Sequence, residues 1–264
     1  MAVLSRCIQD AFDALLGRGM PAPGDAVRDA AWAPDAPWSW CPACGCTGGG
    51  CASCGGAVGG ARVAGPTTVI RLGAHAGELR DWVIAVKHAK WESMGELLGA
   101  ELGRQLARCG VVSQAAQGTV LVPVPTPWIR VRERGIDHAR LLATAAARTL
   151  GTGVARPLRQ LARGTQVDRA SRVGRSAQRA RFSLRASPGR CRATIAGRHA
   201  VIVDDVRTTG STLAEVASWL RWLGAARIDA AVATVAAPAP ECGQTVGTST
   251  QGTASPCGVL RHHL

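Results

Sequence analysis

The stretch Ala200-Val-Ile-Val-Asp-Asp-Val-Arg-Thr-Thr-Gly-Ser-Thr-Leu213 decides the reading of this chain. Its opening apolar, largely β-branched residues are those of a buried strand. Two adjacent carboxylates, Asp204 and Asp205, end the apolar run. A loop of small hydroxylated residues follows and opens an apolar pattern with helical spacing. Such a loop is a ready anion site, because first-turn N–H groups lack intrahelical partners and the helix dipole favours negative charge there. Thr208, Thr209, Ser211 and Thr212 add hydroxyl donors, and Gly210 lets the backbone approach a phosphate closely. Asp204 and Asp205 are suited to accept hydrogen bonds from two sugar hydroxyls. A plain strand-to-helix turn with an N-cap would need far less than this ordered set of acids, hydroxyls and glycine. No Gly-Lys-[Ser/Thr] follows, so the loop is not a Walker-type phosphate loop.

Outward from this segment the pattern is α/β. Apolar runs at Thr119–Val124, Ala200–Val206 and Ile228–Val235 predict strands. Helical periodicity predicts helices over Gly77–Lys87, Met94–Arg108, Asp137–Leu150 and Ser211–Leu223. This alternation implies a parallel sheet flanked by helices. The spacing divides the chain into an amphipathic helix (1–18), a Pro/Ala/Asp-rich linker (19–40), a Cys-rich module (41–65), an α/β domain (66–236) and a disordered Gly/Thr/Ser/Pro-rich tail (237–264). No apolar run reaches transmembrane length, and Arg6, Asp10 and Asp13 break the N-terminal pattern against a signal peptide. The expected location is the cytoplasm, without membrane insertion. The net charge of +13, almost all of it arginine, calls for a polyanionic partner: a phosphorylated metabolite, nucleic acid, or both.

Together these residues resemble a known family. Val201–Leu213 is similar to the phosphoribosyl pyrophosphate (PRPP) signature of type I phosphoribosyltransferases. Cys41-Pro-Ala-Cys44-Gly…Cys51-Ala-Ser-Cys54-Gly, LRDWVIAVKHAK, VPVPTPWIRVRERGIDHARLLA and RQLARGTQVDRASR narrow the resemblance to the ComF branch, associated with bacterial DNA uptake. The resemblance implies a type I phosphoribosyltransferase-like sheet preceded by a zinc-ribbon-like module. It also implies PRPP with Mg²⁺ as ligand, and transfer of phosphoribosyl to an unspecified acceptor. The residues implied for ribose and catalysis are Asp204 and Asp205; for the 5′-phosphate, Thr208, Thr209, Gly210, Ser211 and Thr212. For pyrophosphate they are Pro123, Val124, Pro125, Arg130, Arg132 and Arg134, where arginine forks suit developing phosphate charge. Arg163, Thr165, Gln166 and Arg172 match a loop that closes over PRPP. The same arginine-rich segment also suits a nucleic-acid contact, and the alternative role is a PRPP- or nucleotide-sensing, nucleic-acid-binding accessory module. Its expected partners are single-stranded DNA and a DNA-uptake helicase.

The chain departs from the family pattern in two places. Arg134-Gly-Ile-Asp137-His138 replaces Arg-Gly-[Phe/Tyr]-Asn-Gln, which puts an acid near the expected pyrophosphate, and Gln178 stands where relatives carry Asn. Lys87 and Lys90, with His88 between them, follow a helical stretch where relatives have a Lys-Tyr pair; they face either the phosphates or their own helix dipole. The paired cysteines Cys41, Cys44, Cys51 and Cys54 are the expected ligands of a structural Zn²⁺, with Cys46 a spare thiol. Trp32, Trp38 and Trp40 beside them either pack the module onto its neighbour or stack on bases.

Overall fold

The computed structural model describes residues 20–46, 65–113, 118–161 and 181–236. Within them the chain runs α1 (Pro23–Asp29), β1 (Val69–Ala74), α2 (Gly77–His88), α3 (Glu92–Arg108), β2 (Thr119–Pro123), α4 (Trp128–Arg134) and α5 (His138–Leu150). It continues through β3 (Gly153–Val154), β4 (Leu158–Gln160), β5 (Phe182–Leu184), α6 (Pro188–Ile195), β6 (His199–Arg207), α7 (Ser211–Trp222) and β7 (Arg227–Val235). Five strands form one parallel sheet in the order β1-β7-β6-β2-β3, and β4 pairs antiparallel with β5.

The run Ala200–Val203 is apolar without interruption because both faces of β6 are covered. Val201 and Val203 point into a core shared with α2, α3 and α5. Ala200 and Ile202 point into the opposite core, formed with α6 and α7. The strand period of two therefore builds a helix–sheet–helix sandwich.

Chain order places the crevice. From β2 the chain moves to the β3 edge, then returns to the other side of β2 as β6 and continues to β7. The order thus reverses between β2 and β6, whose register pairs Pro123 with Val203. Loops leaving adjacent strands at such a reversal diverge and leave an opening at the strands' carboxyl ends.

The Cys41–Cys46 segment lies against the sheet. Val69 N donates to Pro42 O (2.7 Å) and Arg71 Nη1 to Gly45 O (2.6 Å). Gly45 has φ +76, and an added Cβ there would press on Val235 and Val69. Trp40 is buried and donates Nε1–H to Val69 O, while Trp32 packs edge-on to Trp82. Two of the three tryptophans thus pack the segment onto the domain; Trp38 stays about half exposed.

Candidate functional site

β6 delivers Asp204 and Asp205 to the crevice where its burial fades toward Arg207. Each carboxylate is held by the backbone that follows it. Asp205 N donates to Asp204 Oδ1 (2.9 Å), and Val206 N donates to Asp205 Oδ1 (2.8 Å). Asp205 Oδ2 meets Lys87 Nζ at 2.5 Å across from α2. Burial drives the Asp204 carboxyl well above the usual carboxylate range, and the negative charge of Asp205 adds to that shift. Burial pushes Asp205 the same way, but the Lys87 ammonium outweighs it and holds Asp205 below its ordinary value. One ammonium, that of Lys87, therefore faces a pair of buried carboxyl groups.

Behind the acids the wall is apolar: Val83, Val86, Leu98, Leu142 and Ala233, with His138 among them. His138 is buried with its Nε2 unpartnered, and burial lowers its pKa, so the ring is neutral. His75, at the end of β1, pairs Nδ1 with Thr234 Oγ1 (2.9 Å); Thr234 Oγ1 in turn donates to Asp205 O (3.4 Å). Burial lowers the pKa of His75 too, reinforced by Arg80 and Lys87.

The β6–α7 loop forms the second part. Gly210 is the N-cap of α7 at φ +79, a conformation natural to glycine, and no side chain caps the helix there. Thr209 Oγ1 and Ser211 Oγ lie 3.2 Å apart, so hydroxyls cluster at the helix start. Arg181 stands immediately before β5. Its backbone N and Nε both donate to Glu215 (2.8 Å each), which aims Nη1 at Thr212 Oγ1 (3.2 Å) and Nη2 at Ser211 Oγ (3.4 Å). Sequence reasoning missed Arg181, because nothing within the Arg156–Arg192 run distinguishes one arginine from another.

The third part follows β2. Val124 N donates to Val203 O (2.8 Å), so Pro123–Pro125 runs beside the acid pair. The arginines expected on a loop sit on the short helix α4, with Arg130 and Arg132 exposed and Arg134 half-buried near His138. Asp137, the acid expected near pyrophosphate, is the N-cap of α5: it accepts from Arg140 N (3.2 Å) and Thr126 Oγ1 (3.3 Å). Lys87 faces Asp205, whereas Lys90 lies against Gly135.

Of the expected residues, the structure gathers Asp204, Asp205, Thr208–Thr212 and Pro123–Pro125 around one crevice, with α4 at its margin. Arg163, Thr165, Gln166, Arg172 and Gln178 lie outside the described residues, as do Cys51 and Cys54. Cys41 and Cys44 form a tight turn, Gly45 N donating to Cys41 O (2.7 Å). Among the described residues no group of three or more His, Cys, Asp or Glu side chains is placed to hold a metal. The acid pair also fails as a direct Mg²⁺ ligand set. A hard divalent ion needs anionic oxygens free to coordinate it, and Asp205 Oδ2 already faces the Lys87 ammonium at 2.5 Å.

Residues 141–241 match the phosphoribosyl transferase domain family. That stretch is phosphoribosyl transferase-like. It runs from within α5 past β7 and includes the whole β6–α7 loop. No curated protein matches the chain. Among solved structures, the glutamine PRPP amidotransferase of B. subtilis complexed with ADP and GMP is 21% identical, covering 52% of this chain and 25% of its own, with a TM-score of 0.36. The allosteric regulatory enzyme of purine biosynthesis is 22% identical over 52% of this chain and 25% of its own (TM-score 0.34). A protein of Thermus thermophilus is 20% identical over 58% of this chain and 86% of its own (TM-score 0.33). The chain thus spans about a quarter of the first two proteins, and likenesses of this size say nothing about substrate. No helix of the described residues is long and apolar enough to cross a membrane.

Proposed function

We propose that this chain binds PRPP across the β2–β6 crevice and transfers its phosphoribosyl group to an acceptor. The observation that carries this reading is the meeting of a carboxylate pair and a hydroxyl-lined helix start at the strand-order reversal, beside the β2 loop. On this reading Thr208–Thr212 bind the 5′-phosphate, and Asp204 and Asp205 accept the ribose hydroxyls. Pro123–Pro125 with Arg130, Arg132 and Arg134 receive the pyrophosphate, and Arg163, Thr165, Gln166 and Arg172 cover the ligand. The acceptor's lone pair forms the bond to the anomeric carbon as the bond to pyrophosphate breaks. The electron pair leaves on the pyrophosphate oxygen, where arginine stabilises the developing charge. Mg²⁺ would supply counter-charge to the ligand's own pyrophosphate. Calorimetric titration of PRPP with Mg²⁺ tests the reading. Wild type should bind and Asp204→Asn/Asp205→Asn should not; equal binding by both overturns it.

A second reading has its own observation. Trp128 is 64% exposed on α4 beside Ile129, Arg130 and Arg132, a combination that stacks bases and neutralises phosphates. It supports a nucleic-acid-binding accessory module, for which the ComF-like motifs suggest DNA uptake with a helicase partner. Zinc belongs to the same resemblance: Cys41, Cys44, Cys51 and Cys54 would hold one Zn²⁺ structurally. Elemental analysis should find one zinc per chain and none in Cys41→Ser/Cys44→Ser; a zinc-free wild type removes the module's metal.

A further inference from the structure

We propose that Lys87 is the resident cation of this site, so that the Asp204–Asp205 pair receives a ribose diol with no divalent metal on either carboxylate. The inference rests on the sugar-phosphate reading above and specifies how that site is charged. Three observations carry it. Lys87 Nζ lies 2.5 Å from Asp205 Oδ2, and both side chains are largely withdrawn from water. The wall behind the acids is apolar apart from a neutral histidine, so among the described residues no other group on that side balances their charge. Among the described residues, the other charged or titratable neighbours are His75 at the end of β1 with Arg80 and Asp81, and Arg134 at the end of α4 with Asp137.

The charge arithmetic is local. Burial and the proximity of a like charge raise the Asp204 carboxyl, and Asp205 faces the ammonium at 2.5 Å. A dication arriving at Asp205 must displace the Lys87 ammonium or sit beside it, and both oppose binding. A sugar hydroxyl meets no such barrier. It donates to a carboxylate oxygen, leaves the Lys87 contact intact and adds no charge. The site thereby selects a neutral diol carried on a phosphate ester, and leaves any metal to the ligand's own phosphates.

Two measurements test this. The first needs no sugar: Mn²⁺ alone is titrated and its free fraction read by electron paramagnetic resonance. Lys87→Met, which uncovers Asp205, should bind Mn²⁺ about tenfold or more tighter than wild type. Lys87→Arg should behave as wild type, and Lys87→Met/Asp205→Asn should lose the gain. Equal Mn²⁺ affinity in wild type and Lys87→Met, both melting cooperatively, overturns the proposal. The second titrates ribose 5-phosphate in Mg²⁺ or in chelator. Wild type should show the same affinity within about twofold, and Lys87→Met should depend on Mg²⁺. A wild type that needs Mg²⁺ for ribose 5-phosphate overturns the role of Lys87 while leaving the sugar-phosphate reading standing. A wild type that binds ribose 5-phosphate in neither condition overturns that reading, and the Mn²⁺ titration alone then decides for or against Lys87.

Discussion

Asp204 is buried as an acid where an amide would fit as well. Because folding raises its pKa, the folded state holds a proton that the unfolded chain releases. That contribution is complete below the ordinary carboxylate value and is lost as pH rises toward the raised one. Asp204→Asn keeps a donor toward Asp205 and titrates nowhere. It should melt above wild type at pH 8, with the gap closing as pH falls toward 4, and still bind PRPP about tenfold or more weakly. A variant less stable than wild type at pH 8 would show that the Asp204 charge is compensated. His138 acts in the opposite sense: neutral when folded, it opposes protonation, so its contribution is present above pH ~6.5 and lost as pH falls below. Arg181 makes a different prediction. Its guanidinium lies on the hydroxyls of the helix start, held there by Glu215. Arg181→Met should weaken ribose 5-phosphate binding by about tenfold, the worth of a charge-assisted contact, without altering the melting temperature of the free protein. Affinity within about twofold of wild type would make Arg181 a helix-end contact only.

Among the elements, α3 and α5 show how glycine spacing becomes packing. Gly95, Gly99 and Gly103 recur every fourth residue on one face of α3. A Cβ on Gly99 would stand 2.7 Å from Leu142 O and from Ala145 Cβ, and one on Gly103 2.9 Å from Ala146 O. Alanine improves helix propensity by about 1 kcal/mol, but overpacking against backbone costs about 1–3 kcal/mol. Gly99→Ala should therefore lower stability in urea by about 1–2 kcal/mol. Gly189→Ala, whose added Cβ meets nothing within 4 Å, should be neutral or stabilising. The sign of this contrast depends on the helix–helix distance alone. The elements also show which parts are legible in the sequence. β2, β6 and β7 each carry a run of apolar residues (Val120–Val122, Ala200–Val203, Ala230–Ala233) that marks a buried strand. β1 is hidden by Arg71, a charge in mid-strand that the fold buries between Asp35, Gly45 O and the Trp40 ring. α4 offers no helical signal because it buries no residue, leaving no apolar stripe to detect. Asp204, Asp205 and the phosphate loop are contiguous in sequence and so are visible together. The Lys87–Asp205 and Arg181–Thr212 contacts join residues far apart in the chain, and only the folded arrangement reveals them.

At the scale of the whole molecule, the +13 charge and the exposed face of α4 bear on the same question. A basic surface attracts every polyanion, so charge alone does not separate PRPP from a nucleic acid. Both affinities should fall with salt. A strand that neutralises several phosphates at once should lose affinity more steeply, because its slope follows the number of counterions released. Trp128 separates the two ligands by chemistry instead of charge. Stacking on a base is worth about 1–3 kcal/mol and barely responds to salt, whereas PRPP offers nothing for an indole to stack on. Fluorescence anisotropy with a labelled single strand, over a salt series, supplies the test. If α4 is a nucleic-acid platform, Trp128→Ala should weaken DNA binding about tenfold at every salt concentration, leaving the salt slope and PRPP affinity unchanged. Arg130→Ala/Arg132→Ala should instead reduce the slope by about two. If Trp128→Ala binds DNA as wild type does, α4 is no stacking platform, and its arginines are left to the pyrophosphate alone.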